Sequence, residues 1–370
     1  MARTFILCAA LLSAAAASAE IVIAQVSPTK GPLAVTAVGN HDGARAYIES
    51  VNAQGGVNGQ KIRFVHEDDQ YKPEETVRLV ELVAARDKPL AFVNLFGSAN
   101  VLALQSAKVF DRVKVPAIGA TPGAEGMRKP GSPWIFHTHA GDQAQIRHIL
   151  RHLSTLGISR IALAYQDNPM GKSGLGHFNE AVAELKLEVR GRVAVPPVGE
   201  QLAATAKKLQ ETGAQAYVMV LVRNSGAALV RDVRAAGDRT PMYAMSYVPA
   251  EAILEKAPLE SAVGVGVAQV MPNAGADKTL LAREFRAAMR RYVPNAEPSN
   301  PHLTGYVAAR VAVEAIRRAG PSPTPEKVMA AMRQVRLDLG GLPQDFSDGQ
   351  NVGTQWVDIG VVDRRGQLMY

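Results

Sequence analysis

Apolar residues in this chain fall into short continuous runs, separated by longer segments with helical periodicity. The run at residues 21–28 predicts a buried strand that ends in a turn, and residues 61–67 and 91–96 share its β-branched and aromatic character. Residues 115–118 predict a further strand. Because a helical pattern separates each strand from the next, this part of the chain predicts a parallel sheet with helices on both faces.

The helical segments between these strands carry recognisable terminal signals. The first pattern ends at Gly55-Gly56, where glycine supplies a left-handed cap, and the second opens at Pro73, a residue well tolerated in a first turn. We predict these helices at residues 35–54, 73–86 and 98–110.

A second alternating series follows residues 134–137, which read as one more strand. Its predicted helices are residues 142–156, 173–185, 202–212 and 226–236, and its predicted strands are 160–165, 188–195, 216–222 and 242–247. The fold class is therefore α/β, with two doubly wound, Rossmann-like lobes. We expect the connections between the lobes near residues 137–141 and 269–275.

The remaining chain predicts long helices at residues 280–292 and 303–319, a shorter one at 325–335, and short strands up to Tyr370. Their spacing does not assign them to either lobe. An open α/β sheet binds its ligand at the carboxyl ends of its strands. The cleft between the two lobes is therefore the predicted site.

The first nineteen residues have the pattern of a secretory signal. Arg3 precedes an apolar stretch at residues 5–12, and Ala17-Ser18-Ala19 forms an A-x-A cleavage site before Glu20. The stretch is shorter than the roughly 20 residues that span a bilayer. Cys8, the single cysteine, lies inside this leader. We therefore expect an exported, periplasmic, soluble protein that begins at Glu20 and has no disulfide.

Length and composition indicate an ordinary globular protein with two domains. The chain has 370 residues, of which 47% are hydrophobic and 20% charged. The formal net charge of +7 includes Arg3, so the chain without its leader carries +6. Its lysines and arginines are scattered and form no basic block with interleaved aromatic residues. Nucleic acid is therefore not an expected partner.

One motif resembles a phosphate-binding loop without meeting its requirements. Residues 166–173 follow a strand and end in Gly-Lys-Ser, but the first position, which must be glycine, is Gln166. Pro169 also removes an amide donor. We interpret the segment as a strand-to-helix loop facing the cleft.

Two histidine pairs have spacings that suit a metal. His137 and His139 lie two apart on a strand-like segment, and His148 and His152 lie four apart on one helical face. No cysteine or carboxylate stands beside either pair in a recognised ligand spacing. We therefore expect no metal and no cofactor.

Two small polar loops follow neighbouring strands of the first lobe. Residues 97–101 contain Ser98 and Asn100, and residues 119–123 contain Ala120 and Thr121. A hydroxyl and exposed amides at a helix N-terminus can hold a carboxylate. Two such loops at one sheet edge predict an anion site.

The strand ends of the second lobe carry further candidates. Tyr165 and Met170 follow one predicted strand, Arg223 follows another, and Tyr247 ends a third. Their common position at strand ends favours a place in the cleft. No G-x-S-x-G elbow and no set of nucleophile, base and orienting group occurs, so we expect no enzymatic activity.

Several sequence stretches together resemble a known family. They are Gly31-Pro32, Gly43-Ala44-Arg45, residues 51–59, Glu67-Asp68-Asp69, Gly119-Ala120-Thr121, Gly171-Lys172-Ser173-Gly174 and residues 305–310. Over essentially the whole chain after the leader, this pattern resembles the type I periplasmic binding proteins of ABC transporters, specifically the branched-chain amino acid (Leu/Ile/Val) receptors.

The resemblance implies two lobes joined by a three-strand hinge. Residues 20–138 and 272–340 would form the first lobe and residues 139–271 and 341–370 the second, with the third crossing at residues 339–344. The protein would close on a small solute and deliver it to a membrane permease.

The resemblance also implies how a ligand is held. Ser98, Ala120 and Thr121 correspond to the groups that bind the ligand's α-carboxylate in the family. The family's second-lobe tyrosine falls on Met170, and its acidic partner for the ligand ammonium falls on or beside Tyr247.

These departures point away from an ordinary zwitterionic amino acid, because a buried ammonium needs a carboxylate partner. We expect a carboxylate ligand, aromatic or a dicarboxylate, with Arg223 facing a second anionic group.

The leading hypothesis is therefore a monomeric, extracytoplasmic substrate-binding protein of an ABC importer. A ligand sensor that signals to a membrane receptor is the alternative, and a secreted hydrolase on the same fold is a third reading.

Overall fold

The computed structural model describes residues 20–31, 34–196, 201–347 and 349–370. The predicted secretory signal at residues 1–19 lies outside these ranges. Within them, no helix combines the length and the apolar character needed to cross a membrane. The described chain forms two α/β lobes, which confirms the predicted fold class.

The first lobe is built on a five-stranded sheet. Its strands are β1 (Ile21–Val26), β2 (Ile62–Glu67), β3 (Ala91–Val93), β4 (Ala117–Ile118) and β5 (Ile135–Phe136). They run in the order β2-β1-β3-β4-β5, and every neighbouring pair is parallel. Between them lie α1 (Ala34–Ala53), α2 (Pro73–Asp87), α3 (Ser98–Ser106) and α4 (Val109–Val113), with a 3₁₀ turn at Glu125–Met127.

The second lobe repeats the pattern. Its strands are β6 (Arg160–Gln166), β7 (Glu188–Val195), β8 (Ala216–Val220), β9 (Met242–Ala244) and β10 (Gly266–Gln269). Its helices are α5 (Asp142–Thr155), α6 (Pro169–Glu184), α7 (Ala203–Glu211), α8 (Arg223–Ala235), α9 (Ala250–Lys256) and α10 (Leu259–Ala262).

The rest of the chain supplies elements to both lobes. They are α11 (Leu280–Tyr292), α12 (Asn300–Arg318), α13 (Pro325–Met332), β11 (Arg336–Asp338), β12 (Pro343–Asp345), β13 (Asp358–Val362) and β14 (Leu368–Met369). β13 pairs antiparallel with β10, so the second sheet has the order β14-β13-β10-β9-β8-β6-β7. β11 and β12 form a separate hairpin.

Both lobes share one strand order at their centres. Counted within each lobe, the five parallel strands run second, first, third, fourth, fifth. The order reverses between β1 and β3 in one lobe and between β6 and β8 in the other. Such a switch point opens a crevice at the carboxyl ends of the strands. Each lobe therefore presents one ligand-binding edge.

Hydrophobic cores cover both faces of each sheet. Along β1, Ile21 and Ile23 join one cluster, whereas Ala24 and Val26 join the cluster on the other face. Along β6, Ala162 and Leu163 divide in the same way. This alternation follows from the two-residue period of a strand and explains why these strands read as continuous apolar runs.

Helices α1 and α12 pack closely against each other in the first lobe. A Cβ on Gly305 would lie 1.8 Å from the carbonyl oxygen of Asn40, and one on Gly43 would lie 1.7 Å from that of His302. The backbones of the two helices therefore touch at glycine positions, which fixes their separation.

The described chain passes between the two cores at three places. The first follows β5, where Phe136 packs in the first lobe and Ile146 in the second. The second lies between Ala268 and Met271. The third lies at residues 356–357, since Trp356 packs on the first core and Val357 on the second.

The third passage differs from the sequence expectation, which assigned residues 341–370 to the second lobe. The β11–β12 hairpin turns at Gly340 and Gly341, both with positive φ, and returns the chain to the first core. Leu342 and Phe346 are buried there. The crossing expected at residues 339–344 is therefore displaced toward Trp356.

Two helices also differ from their predicted bounds. α6 begins at Pro169 instead of residue 173, because Asn168 caps it by accepting a hydrogen bond from the Gly171 amide at 2.9 Å. The predicted helix at residues 98–110 is split into α3 and α4 at Lys108, whose φ is +50°. The early start of α6 places Pro169 and Met170, which would lie in the loop of a phosphate-binding motif, inside the helix.

Candidate functional site

The edge of the first lobe is built from the loops that follow β1, β2, β3 and β4. The loops after β1 and β2 are tied together, because the Asp68 carboxylate accepts hydrogen bonds from the amide and the hydroxyl of Thr29. Ser27, at the end of β1, is buried and lies 3.0 Å from Nε2 of His66. This part of the edge is therefore a fixed surface.

Ser98 lies where the sequence predicted, as the first residue of α3, and it is exposed. Gly97 precedes it with φ of +84° and offers no side chain to cap the helix. A carboxylate is well suited to such an uncapped N-terminus, since the first-turn amides point outward and the helix dipole is positive there.

Asn100 is buried and its side-chain amide is bonded within the lobe, which counts against its predicted role as a ligand contact. Its Nδ2 donates to Oδ2 of Asp69 at 3.1 Å and lies 2.7 Å from the Thr76 hydroxyl. The helical turn explains the difference, because positions 98 and 100 of a helix point to different faces. Asn100 joins α3 to the loop after β2.

Ala120 and Thr121 lie at the edge, but their amides are already paired. The Ala120 amide donates to the Phe136 carbonyl at 3.1 Å, and the Thr121 amide donates to the Leu95 carbonyl at 2.9 Å. In this structure neither amide is available to a ligand, which corrects that part of the expectation. Thr121 remains half-buried, with its side chain as the group it can offer.

Tyr165 and Met170 flank the first strand end of the second lobe. Both are half-buried and pack on the same core. Gln166 lies between them, buried, and its amide donates to the carbonyl of Val195 at 3.3 Å. Its Oε1 accepts from the Val222 amide at 3.4 Å, so this side chain joins the ends of three strands.

The sequence predicts that Arg223 faces a second anionic group of the ligand. In the structure it is paired with a carboxylate of the protein instead. It is exposed at the start of α8, and its guanidinium donates to Glu255 of α9 at 2.6 Å. The partner on the neighbouring helix satisfies this charge at the protein surface. The direction of such a long side chain is set by its tertiary neighbours, which no local sequence pattern records.

Tyr247 joins the two lobes. Its hydroxyl donates to Oδ1 of Asp142 at 2.7 Å and accepts from the Gly123 amide at 3.2 Å. The Asp142 amide donates in turn to the Gly123 carbonyl at 2.9 Å. A Cβ on Gly123 would lie 2.0 Å from Asp142 Oδ1 and 2.3 Å from the Tyr247 hydroxyl. The loops after β4 and β9 therefore meet here without space for a side chain.

Asp142 is a buried carboxylate that the sequence reasoning missed. It is 3% exposed and begins α5, directly after the first crossover. Burial raises its pKa, while the hydrogen bond from Tyr247 and the charge of Arg128 act in the opposite direction. Burial, with the adjacent carboxylate, also raises the pKa of Tyr247 well above its ordinary value. In the sequence, Asp142 could have been recognised as a candidate by its position at the start of a predicted helix, directly after a predicted crossover.

The buried side chain of Arg128 stabilises the first crossover. The side chain is 2% exposed, and its guanidinium donates to the carbonyls of Pro122 and His139 at 3.0 and 2.8 Å. Its Nη2 lies 3.2 Å from Nδ1 of His139. The same Nδ1 also lies 2.9 Å from the carbonyl oxygen of Ala140. Burial, with the charge of Arg128, lowers the pKa of His139 to about 3.

His137 connects two of the chain segments near the passages between the lobes. Its Nδ1 donates to the Ala120 carbonyl at 3.0 Å, and its backbone pairs with Asn351 and Gly353, which lie just before the third passage. Burial lowers its pKa well below the ordinary value. Across the described ranges, no group of three His, Cys, Asp or Glu residues is arranged to hold a metal ion.

The two lobes share one topology and are joined by three passages, and their strand ends face each other. This arrangement defines a two-lobed ligand-binding protein. The sequence profile of the periplasmic binding protein family matches residues 20–367. The chain belongs to that family.

Relatives and solved structures agree with this assignment. Leu/Ile/Val-binding protein homolog 8 of Brucella abortus is 22% identical over 367 residues, covering 93% of this chain and 85% of its own. The structure of an extracellular ligand-binding receptor from Verminephrobacter eiseniae superposes with a TM-score of 0.87 at 34% identity, covering 95% of this chain and all of that one.

A more distant structure carries a ligand. A branched-chain amino acid ABC transporter protein from Thermus thermophilus, solved with bound valine, has a TM-score of 0.82 at 22% identity, covering 95% of this chain and 94% of that one. This likeness confirms the fold, and with the relatives above it supports the predicted resemblance to Leu/Ile/Val-binding proteins.

Proposed function

We propose that the protein is the extracytoplasmic receptor of an ABC importer and captures a small carboxylate-bearing solute by closing its lobes. Residues 20–136 and 271–356 act as the first lobe, and residues 142–269 and 357–370 as the second. Residues 1–19 direct export and are removed. The protein works as a monomer, performs no chemistry and presents its closed form to the membrane permease.

The observation that carries the proposal is the meeting of two ligand-binding edges. The loops after β4 and β9 touch through Gly123 and Tyr247, so the carboxyl-end edges of the two sheets face each other. A ligand held by both edges stabilises the closed arrangement by its differential affinity for it. This geometry supports solute capture by closure.

The charges at the edges support a carboxylate ligand. Ser98 and the uncapped start of α3 suit a carboxylate, with the side chain of Thr121 nearby on the loop after β4. On the second lobe, Asp142 is shielded and already accepts from Tyr247. A ligand ammonium could pair with this buried carboxylate only by losing its hydration. An acid without an ammonium group is therefore the preferred ligand over an amino acid such as the valine of the Thermus thermophilus protein.

The test combines small-angle scattering with thermal unfolding of the chain from residue 20 onward. Benzoate, succinate and leucine are added separately at millimolar concentration. We expect one of the two organic acids to reduce the radius of gyration and to raise the melting temperature by mass action. Compaction with leucine alone would contradict the ligand class. No compaction with any carboxylate or amino acid would contradict solute capture itself.

A further inference from the structure

Tyr71 presents an aromatic ring at the ligand-binding edge of the first lobe. The residue lies in the loop between β2 and α2 and is 37% exposed. A Cβ on Gly97 would lie 2.3 Å from its Cε2 and 3.1 Å from its hydroxyl. The ring therefore lies against the backbone that leads directly into Ser98. It forms a side wall next to the proposed carboxylate position.

The backbone that carries this ring has an uncommon conformation. Gln70 and Tyr71 have φ of +52° and +59°, a left-handed region that residues with side chains seldom adopt. Two carboxylates hold it. Asp68 accepts from the Gln70 amide and Asp69 from the Tyr71 amide, both at 2.9 Å. Strained residues that are fixed in this way concentrate at ligand sites.

A buried network fixes the loop relative to α3. Oδ2 of Asp69 accepts from the Thr76 hydroxyl at 2.6 Å and from Asn100 Nδ2 at 3.1 Å. Asp69, Thr76 and Asn100 are all buried. The backbone segments that carry Tyr71 and Ser98 are therefore held in one relative position. Asn100 acts as a positioning residue for this wall.

The surroundings of Tyr71 favour an aromatic partner. Phe96, which is 7% exposed, contacts it edge to face with ring centroids 6.2 Å apart. Phe96 supports the ring from within the lobe and leaves part of Tyr71 open to solvent. Aromatic rings attract each other in stacked or edge-to-face geometry beyond the effect of buried area. An aliphatic group would gain only the area.

We propose that Tyr71 determines ligand specificity and that the captured solute is an aromatic carboxylate. The carboxylate lies at Ser98 and the ligand ring stacks on Tyr71. This inference rests on the proposed function, because it needs a ligand held at this edge.

The test compares benzoate with cyclohexanecarboxylate, which has the same charge and similar size but no aromatic ring. Calorimetric titration of the wild-type chain should show benzoate binding several-fold, up to about tenfold, more tightly. Tyr71→Phe should keep this preference. Tyr71→Leu and Tyr71→Ala should remove it. Tyr370→Ala changes an exposed tyrosine at the chain end and should leave it unchanged.

Two outcomes would overturn the inference and leave solute capture standing. One is equal binding of the two acids, or a benzoate preference that survives in Tyr71→Leu. The other is compaction by leucine or succinate with no binding of benzoate. If no carboxylate or amino acid compacts the wild-type chain, the proposed function fails and the inference fails with it.

Discussion

At the scale of single residues, the edge positions were predictable and the side-chain directions were not. Ser98 and Tyr247 lie at the carboxyl-end edges of the sheets, as their positions after predicted strands indicated. Asn100 turns inward to Asp69, and Arg223 turns outward to Glu255. A sequence pattern gives the strand end, but the direction of a side chain depends on partners that are distant along the chain.

Removal of the Arg128 side chain should strongly destabilise the folded protein. Arg128→Ala would leave the carbonyls of Pro122 and His139 buried without their donor. We expect the free energy of unfolding, measured in urea, to fall by about 3 kcal/mol. Arg223→Ala is the matched control, because its exposed ion pair with Glu255 is worth less than about 1 kcal/mol. Equal effects of the two substitutions would contradict this role for Arg128.

At the scale of elements, periodicity and caps predicted most helices and strands. The β7 strand and the α11 helix have the predicted bounds. The start of α6 was predicted four residues too late, because Asn168 caps the helix and Pro169 occupies its first turn. The break between α3 and α4 rests on a left-handed lysine, for which the residue type gives no signal.

Glycines at the α1–α12 contact give a sharp prediction. Gly305→Ala would force a Cβ to within 1.8 Å of the Asn40 carbonyl oxygen, a backbone atom that cannot rotate away. We expect the free energy of unfolding to fall by at least about 2 kcal/mol. Gly176→Ala, in α6 with nothing within 4 Å, should instead be neutral or stabilise by up to about 1 kcal/mol. A neutral Gly305→Ala would show that the helices can separate.

At the scale of the whole molecule, buried histidines should make stability depend on pH. The folded-state pKa of His139 is about 3, and that of His137 is also far below 6.5. Below pH 6.5 the unfolded chain therefore binds protons that the folded chain does not. The stabilisation is complete above pH 6.5 and is lost as the pH falls toward 3.

We expect the free energy of unfolding to fall by about 1.0 kcal/mol per histidine between pH 6.5 and 5.5, and by about 1.4 kcal/mol for the next pH unit. The raised pKa of Asp142 acts in the opposite direction, since the folded protein then binds the extra proton, and this favours the folded state at acidic pH. The range from pH 6.5 to 5.5 is therefore the one to measure. His139→Gln should show a smaller slope than the wild type, and an unchanged slope would contradict the assignment.

The sequence by itself determined the alternation of strands and helices, the two doubly wound lobes and the strand ends that face the cleft. These follow from apolar periodicity and from caps, which are local. The tertiary structure alone decided that the β11–β12 hairpin returns to the first lobe, that Asp142 is paired with Tyr247, and that Tyr71 lies over Gly97. Each depends on contacts between residues far apart in the chain, whose geometry exists only once the lobes have packed.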